Sequence, residues 1–154
     1  MEAKELTMDE VLALVPQQAP FRFVDEILEL SDEHVVGRYT FKHDETFYPG
    51  HFPDEPITPG VIMLESMCQV GVVALGIYIL AKELPASEVA KYKTLFTDAQ
   101  VDFSGIVPPG TTVTIRAERV YWRRKKLRSK VEMSLADGTV VASAVVSGIG
   151  VKRD

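Results

Sequence analysis

Glu65 stands in an aliphatic run, Val61-Ile62-Met63-Leu64-Glu65-Ser66-Met67-Cys68. A carboxylate buried without a partner is costly, so Glu65 must be neutral, paired, or turned toward water or a cavity. Gln69 follows one helical turn later and points the same way. Two polar groups on one line suit either the wet stripe of a helix or a polar lining in an apolar wall. Upstream, His51 lies in Pro49-Gly50-His51-Phe52-Pro53, a loop stiffened by proline, and stiffness suits a base whose ring must be held. An ordinary histidine, with a pKa of about 6.5, offers free base at neutral pH, although loop histidines also serve purely structural ends. The third part is the start of the helix. The amides of Gly60 and Val61 have no helical acceptor, the dipole adds partial positive charge there, and Gly60 has no Cβ to keep a carbonyl away. A base, an acid and oxyanion donors together suit removal of a proton alpha to a carbonyl, followed by loss of a beta leaving group.

The elements that must position these groups are legible in outline. Thr7 to Leu14 reads as a helix with a capping box from Thr7 to Glu10, ended by Pro16. Phe21 to Leu30 and His34 to His43 read as strands, the second by its alternation of Val35, Gly37, Tyr39 and Phe41 with polar neighbours. The prolines and glycines from Tyr48 to Gly60 exclude regular structure, and a long apolar helix runs from Val61 to about Lys82. Strands return over Lys93 to Phe103, Thr111 to Trp122, Leu127 to Leu135 and Val140 to Val151. Asp137-Gly138 is expected to form a two-residue hairpin with positive φ at both positions. The pattern predicts an α+β domain, an antiparallel sheet with one long helix on its inner face, spanning 1–154. The all-round apolar helix and the run Val140 to Val146, which has no polar face, predict a second subunit to cover them.

Composition narrows the function. The 154 residues are 46% hydrophobic and 25% charged, ordinary for a globular domain, with a net charge of −5 that argues against nucleic acid as partner. The acidic start, with Glu2, Lys4, Glu5, Asp9 and Glu10, is unlike a secretory leader. The single Cys68 and the absence of zinc-ligand spacing point to a reducing, cytoplasmic setting without metal. Val61 to Ala81 has the length of a membrane span, but Glu65 and Gln69 within it suit a buried core helix better. Six of the 17 basic residues, Arg123, Arg124, Lys125, Lys126, Arg128 and Lys130, fall in eight positions with no acidic residue among them. This run is either a docking patch for an acidic partner or a solvated hairpin end.

The segment His51-Phe52-Pro53-Asp54-Glu55-Pro56-Ile57-Thr58-Pro59-Gly60-Val61-Ile62-Met63-Leu64-Glu65-Ser66-Met67-Cys68-Gln69 resembles the signature of the Z-type 3-hydroxyacyl-acyl-carrier-protein dehydratases of bacterial fatty acid synthesis. Pro20 to Leu30 and Asp102 to Gly110 extend the resemblance over essentially the whole chain. It implies a hotdog fold, a curved antiparallel sheet wrapped around one long central helix, in a homodimer or a trimer of dimers. It implies dehydration of a 3-hydroxyacyl thioester on acyl carrier protein to the trans-2-enoyl thioester, with no cofactor. His51 would take the alpha proton and Glu65 of the partner subunit would protonate the departing hydroxyl. Gly60 and Val61 would hold the thioester carbonyl, and Gln69 would support Glu65.

Two departures stand out: Ser104-Gly105-Ile106 where relatives carry basic residues, and Asp54-Glu55 after the His-Phe-Pro. The first makes Arg123, Arg124, Lys125 and Lys126 the candidate carrier-docking residues. Other readings are a dehydratase that also isomerises, which would carry aspartate at position 65, a hotdog thioesterase, and a non-catalytic hotdog subunit of a polyketide or pigment pathway.

Overall fold

The computed structural model describes residues 5–153, so positions 1–4 and 154 of the expected 1–154 domain lie outside the described residues. Helix α1 (Met8–Leu14) opens with the expected capping box: the Glu10 amide donates to Thr7 Oγ1 at 3.1 Å, and the Thr7 amide donates to the Glu10 carboxylate at 3.0 Å. Strands β1 (Glu26–Leu30) and β2 (His34–Thr40) follow, then the central helix α2 (Gly60–Leu80) and a short α3 (Ala86–Val89) that the sequence pattern does not announce. Strands β3 (Tyr92–Phe103), β4 (Thr112–Arg123), β5 (Lys126–Ser134) and β6 (Val140–Lys152) complete one antiparallel sheet in the order β1-β2-β4-β5-β6-β3. This is the hotdog fold. The sheet and α2 share one core, which includes Phe23, Phe41, Met67, Leu75, Ile115 and Met133.

Helix α2 is regular over Gly60–Cys68, widens to a π-helix over Gln69–Ala74 and returns to α-helix over Leu75–Leu80. The wide turns lie where the helix rests directly on the sheet. A Cβ on Gly71 would meet Val131 Cγ2 at 2.7 Å and the Ala117 Cβ at 3.1 Å, so only glycine permits this approach. Ser129, buried beneath it, donates its hydroxyl to the Gly71 carbonyl at 2.6 Å.

Three expectations need correction. Phe21 to Asp25 is not strand, because side chains of α2 take up backbone groups there that a ladder would otherwise use: the Phe23 amide donates to Gln69 Oε1 at 2.7 Å, and Gln69 Nε2 donates to the Phe21 carbonyl at 2.9 Å. Pairing begins at Glu26. At Asp137-Gly138 only Gly138 has positive φ, +89°. The Gly138 amide donates to the Leu135 carbonyl and the Leu135 amide to the Thr139 carbonyl, the pattern of a three-residue loop ending in glycine. The two-residue turn with positive φ at both positions lies instead at Arg124 (+50°) and Lys125 (+61°), between paired Arg123 and Lys126. The run Val140 to Val146 is not covered on both sides: Ala142, Ala144 and Val146 face the helix and are buried, while Ser143 and Val145 are exposed. The surface left open lies on β3, an edge strand of 12 residues with its outer backbone unpaired.

Gly71→Ala should force the helix away from the stiff, β-branched Val131 and from the Ala117 Cβ. We expect a loss of about 1–3 kcal/mol, read as a lower urea midpoint at unchanged slope.

Candidate active site

The loop between β2 and α2 is tied down at several points. The His51 amide donates to the Tyr48 carbonyl at 3.1 Å, the Ile57 amide donates to the His51 carbonyl at 3.0 Å, and Phe52 and Glu55 exchange two backbone hydrogen bonds of 3.1 Å. The Thr58 amide reaches the Val107 carbonyl at 3.0 Å, and the Thr58 and Tyr48 hydroxyls lie 2.6 Å apart, both buried. The His51–Phe52 peptide is cis, and the two rings stack with centroids 4.2 Å apart. His51 Nδ1 lies 2.9 Å from the Ile57 carbonyl oxygen. A carbonyl only accepts, so Nδ1 carries a proton, and the neutral ring is the tautomer with its lone pair on Nε2. The imidazole is thereby held in one orientation, with Nε2 as its second ring nitrogen.

Glu65 is half-buried in the first stretch of α2, and burial pushes its carboxyl pKa above the usual 4.5. A hydrogen bond of 2.9 Å from Gln69 Nε2 to Glu65 Oε2 offsets part of that rise. Gln69 itself is fully buried, with its carboxamide shared between Glu65 and the Phe21 to Phe23 segment. Ser66 adds a bond of 2.7 Å to the Phe23 carbonyl, a contact that the sequence does not single out. The thiol of Cys68 is pushed up by burial and by the nearby Glu65 charge. No group of three or more His, Cys, Asp or Glu suited to a metal is found among the described residues.

Pro59 caps α2 without a side-chain hydrogen bond, leaving the first-turn amides of Gly60 and Val61 to other acceptors. The place where a Gly60 Cβ would sit is filled by the ring of Phe103, at 2.9–3.2 Å. Glycine here therefore admits an aromatic ring of the same chain, where the sequence reading reserved the room for a substrate carbonyl. The Val61 side chain is 73% exposed. Within one chain the helix start and the His51 loop are neighbours in sequence, but His51 and Glu65 are held by separate hydrogen bonds, to Ile57 and to Gln69.

The sequence model of the FabA-like domain matches residues 15–145. The chain belongs to the FabA-like family. Its 3-hydroxyacyl-[acyl-carrier-protein] dehydratase FabZ relative from Herpetosiphon aurantiacus is 34% identical over 141 residues, covering 89% of this chain and 92% of that one. The bifunctional enzyme LpxC/FabZ of Porphyromonas gingivalis is 36% identical over 120 residues, 76% of this chain. The chain spans only about a quarter of that bifunctional relative's length, 24%. Among solved structures, the dehydratase heterocomplex ApeI:P from Xenorhabdus doucetiae shares the fold with a TM-score of 0.73 at 20% identity, covering 92% of this chain and 91% of that one. Thioesterases share it too, so fold alone does not choose the reaction.

In this FabA-like protein the basic run forms the β4–β5 hairpin, and it is less free than its sequence suggests. Lys126 and Arg128 reach Asp98 of β3 at 3.6 and 3.2 Å, Arg123 stacks on Tyr121, and Lys125 lies over Tyr92. It is also remote from its own chain's His51 loop. Ala142 of β6 pairs with Phe103 beside Gly60, whereas Ile149 pairs with Lys126, a separation of about 23 Å at ~3.3 Å per strand residue. Asp54 and Glu55 are exposed on the His51 loop itself.

The raised Glu65 pKa has a consequence for stability. The folded protein binds this proton more tightly than the unfolded chain, so stability falls as pH rises from the ordinary value through the folded one. Glu65→Gln should remove that slope. Urea unfolding at pH 4.5 and 7.5 is expected to show the variant gaining on the native protein at the higher pH.

Proposed function

We infer that this chain is a 3-hydroxyacyl-acyl-carrier-protein dehydratase of fatty acid synthesis, acting in the cytoplasm at a site shared by two copies. The observation that carries this reading is the pair of groups suited to proton transfer. His51 turns Nδ1 to the Ile57 carbonyl and leaves Nε2 for a substrate, and burial shifts Glu65 toward its protonated form. In the reaction, Nε2 takes a proton from C2 of the acyl thioester, and that electron pair forms the C2–C3 double bond. The C3–O bond breaks as the Glu65 carboxylic acid gives its proton to the departing hydroxyl, which leaves as water. The negative charge that grows on the thioester oxygen is met by the Gly60 and Val61 amides. His51 then returns its proton to solvent and Glu65 regains one. A glutamate at position 65 favours simple dehydration over a dehydratase that also isomerises.

The second copy is argued from β3. Its register puts Phe96, Ala99, Val101 and Phe103 on the same face as Gly148, Val146, Ala144 and Ala142 of β6. The β6 residues are buried, yet Phe96 and Phe103 are 45% and 47% exposed. A long edge strand with open backbone and an uncovered inner face is a template for pairing with itself. Self-pairing about a two-fold axis that keeps both helices on one side must be antiparallel. The Phe103 end of each β3 then meets the Tyr92 end of the other. That brings the basic hairpin of one copy toward the His51 loop of its partner, which supports Arg123, Arg124, Lys125 and Lys126 as the dock for an acidic acyl carrier protein despite their distance from their own loop. A homodimer is the minimum; a trimer of such dimers is compatible with the same interface.

The deciding experiment supplies a 3-hydroxyacyl carrier and identifies the product: enoyl thioester supports dehydration, free acid a thioesterase, and no reaction a non-catalytic subunit. Charge reversal of Arg123, Arg124, Lys125 and Lys126 should raise KM for the carrier-bound substrate much more than for a pantetheine thioester, since rim charges act on encounter. Equal changes would remove the docking role. His51→Ala and Glu65→Gln should each lose about 10²- to 10⁴-fold in rate. Co-expressed, the two inactive chains should recover activity. Random assortment makes roughly half the dimers mixed, each with one intact site of two, so recovery should approach about one quarter of native activity. Verified mixed dimers without activity would rule out a shared site.

A further inference from the structure

Tyr48 and Thr58 stand toward the two ends of the loop that carries His51, and their hydroxyl oxygens lie 2.6 Å apart. Both residues are buried, at 3% and 6% exposure. Among the described residues each hydroxyl has the other as its hydrogen-bond partner. Burial pushes the Tyr48 phenol pKa up, so the phenol keeps its proton. The Tyr48 ring is held by apolar contact, lying edge to face on Phe47 with centroids 4.7 Å apart. Phenylalanine and valine have nearly the shapes of tyrosine and threonine, without the hydroxyls. A buried hydroxyl pair adds little net stability over such apolar residues, because both oxygens give up water on folding. What the hydrogen bond adds is direction: it fixes the separation and facing of two chain segments, where an apolar contact leaves them more freedom.

Those two segments carry the base and the helix start. Three residues beyond Tyr48 is His51, whose amide donates to the Tyr48 carbonyl. One residue before Thr58 is Ile57, whose carbonyl meets His51 Nδ1 and whose amide donates to the His51 carbonyl. Two residues beyond Thr58 is Gly60, the first residue of α2, and the Thr58 amide is anchored on the Val107 carbonyl. We propose that the Tyr48 and Thr58 hydroxyls form a positioning clamp, which holds the His51 ring in register with the Gly60 and Val61 amides and serves the rate of dehydration more than the stability of the fold. Its bearing on rate rests on the dehydratase reading above; its bearing on the orientation of His51 does not. Neither hydroxyl needs to touch substrate. With Nδ1 turned to Ile57, a slip of the 57–58 segment against the 48–51 segment carries Nε2 with it, and misplacement by about 1 Å can cost ~10²-fold in rate.

Comparing the native protein with two single variants and their combination separates positioning from stability. Tyr48→Phe and Thr58→Val each leave the other hydroxyl buried without a partner, and each should lower both the urea midpoint and kcat. The double variant Tyr48→Phe/Thr58→Val strands neither hydroxyl. It should recover most of the native urea midpoint, while kcat stays at least about tenfold below native and KM changes little, as expected when orientation in the transition state is lost. Thr58→Ser keeps the hydroxyl and should restore most of the kcat that Thr58→Val loses. A double variant with native kcat overturns the proposal, and so does a series in which kcat simply follows the urea midpoint. If the double variant does not fold, Thr58→Ser and Thr58→Val decide under conditions where both are folded: loss in the valine variant alone supports the clamp, and equal loss overturns it. If the native protein forms no enoyl product, the dehydratase reading falls, and the clamp is judged on the His51 Nδ1 proton in the NMR spectrum, identified by its absence from His51→Ala. That signal should be sharp in the native protein and broadened by exchange with water in the double variant; a signal alike in both overturns the clamp.

Discussion

Gln69 uses its buried carboxamide to join three parts of the protein: the helix it belongs to, the irregular segment from Phe21 to Phe23, and the carboxyl of Glu65. Both polar atoms of the amide are engaged, and leaving either unsatisfied in the core would carry its full desolvation cost. That constraint explains two features at once. The segment before β1 stays out of the sheet because helix side chains satisfy its backbone. Glu65 is held in one orientation while remaining half-buried, and that burial raises its carboxyl pKa above the ordinary value. Ser66, one residue beyond Glu65, repeats the device with the Phe23 carbonyl.

The other half of the proposed chemistry is arranged by different means. His51 has no helix to hold it; the loop around it is closed by backbone hydrogen bonds and by the stacked Phe52 ring, and the Ile57 carbonyl fixes its tautomer. The two groups proposed to transfer protons thus sit on separately braced supports, one rigid because it is a helix and one because its short loop is cross-tied. Close contact of α2 with the sheet at Gly71 fixes the height of the first support. The ring of Phe103 against Gly60 ties the helix start to the end of β3, the strand whose inner face remains uncovered. A site built at that end is exposed to whatever covers β3, which is why the proposed second copy would bear on chemistry as well as on stability.

Much of this was legible in the residues. The capping box at Thr7, the order of strand, loop, long helix and four strands, and the anomaly of a glutamate and a glutamine in an apolar helix all follow from local preference and burial cost, which act through neighbours in the chain. The motif around His51 and Glu65 carried the family resemblance, and the match over residues 15–145 agrees with it. What misled was equally physical. Phe21 to Asp25 has the composition of a strand, and only a side chain 46 positions away diverts it. Arg124 and Lys125 have no turn signature, yet the paired strands on either side force both into positive φ. The apolar run at Val140 suggested two covered faces, whereas the uncovered surface proved to be on β3.

The sequence by itself determined the element order, the fold class and the candidate acid and base, because each depends on residue type and on spacing within a turn or a loop. Only the tertiary structure decided which nitrogen of His51 meets the Ile57 carbonyl, what satisfies Gln69, why Gly60 and Gly71 must lack a side chain, and how far the basic hairpin lies from the loop of its own chain. Each of these is a contact between positions distant in the chain, and the distance between such positions is set by the packing of the whole sheet around one helix.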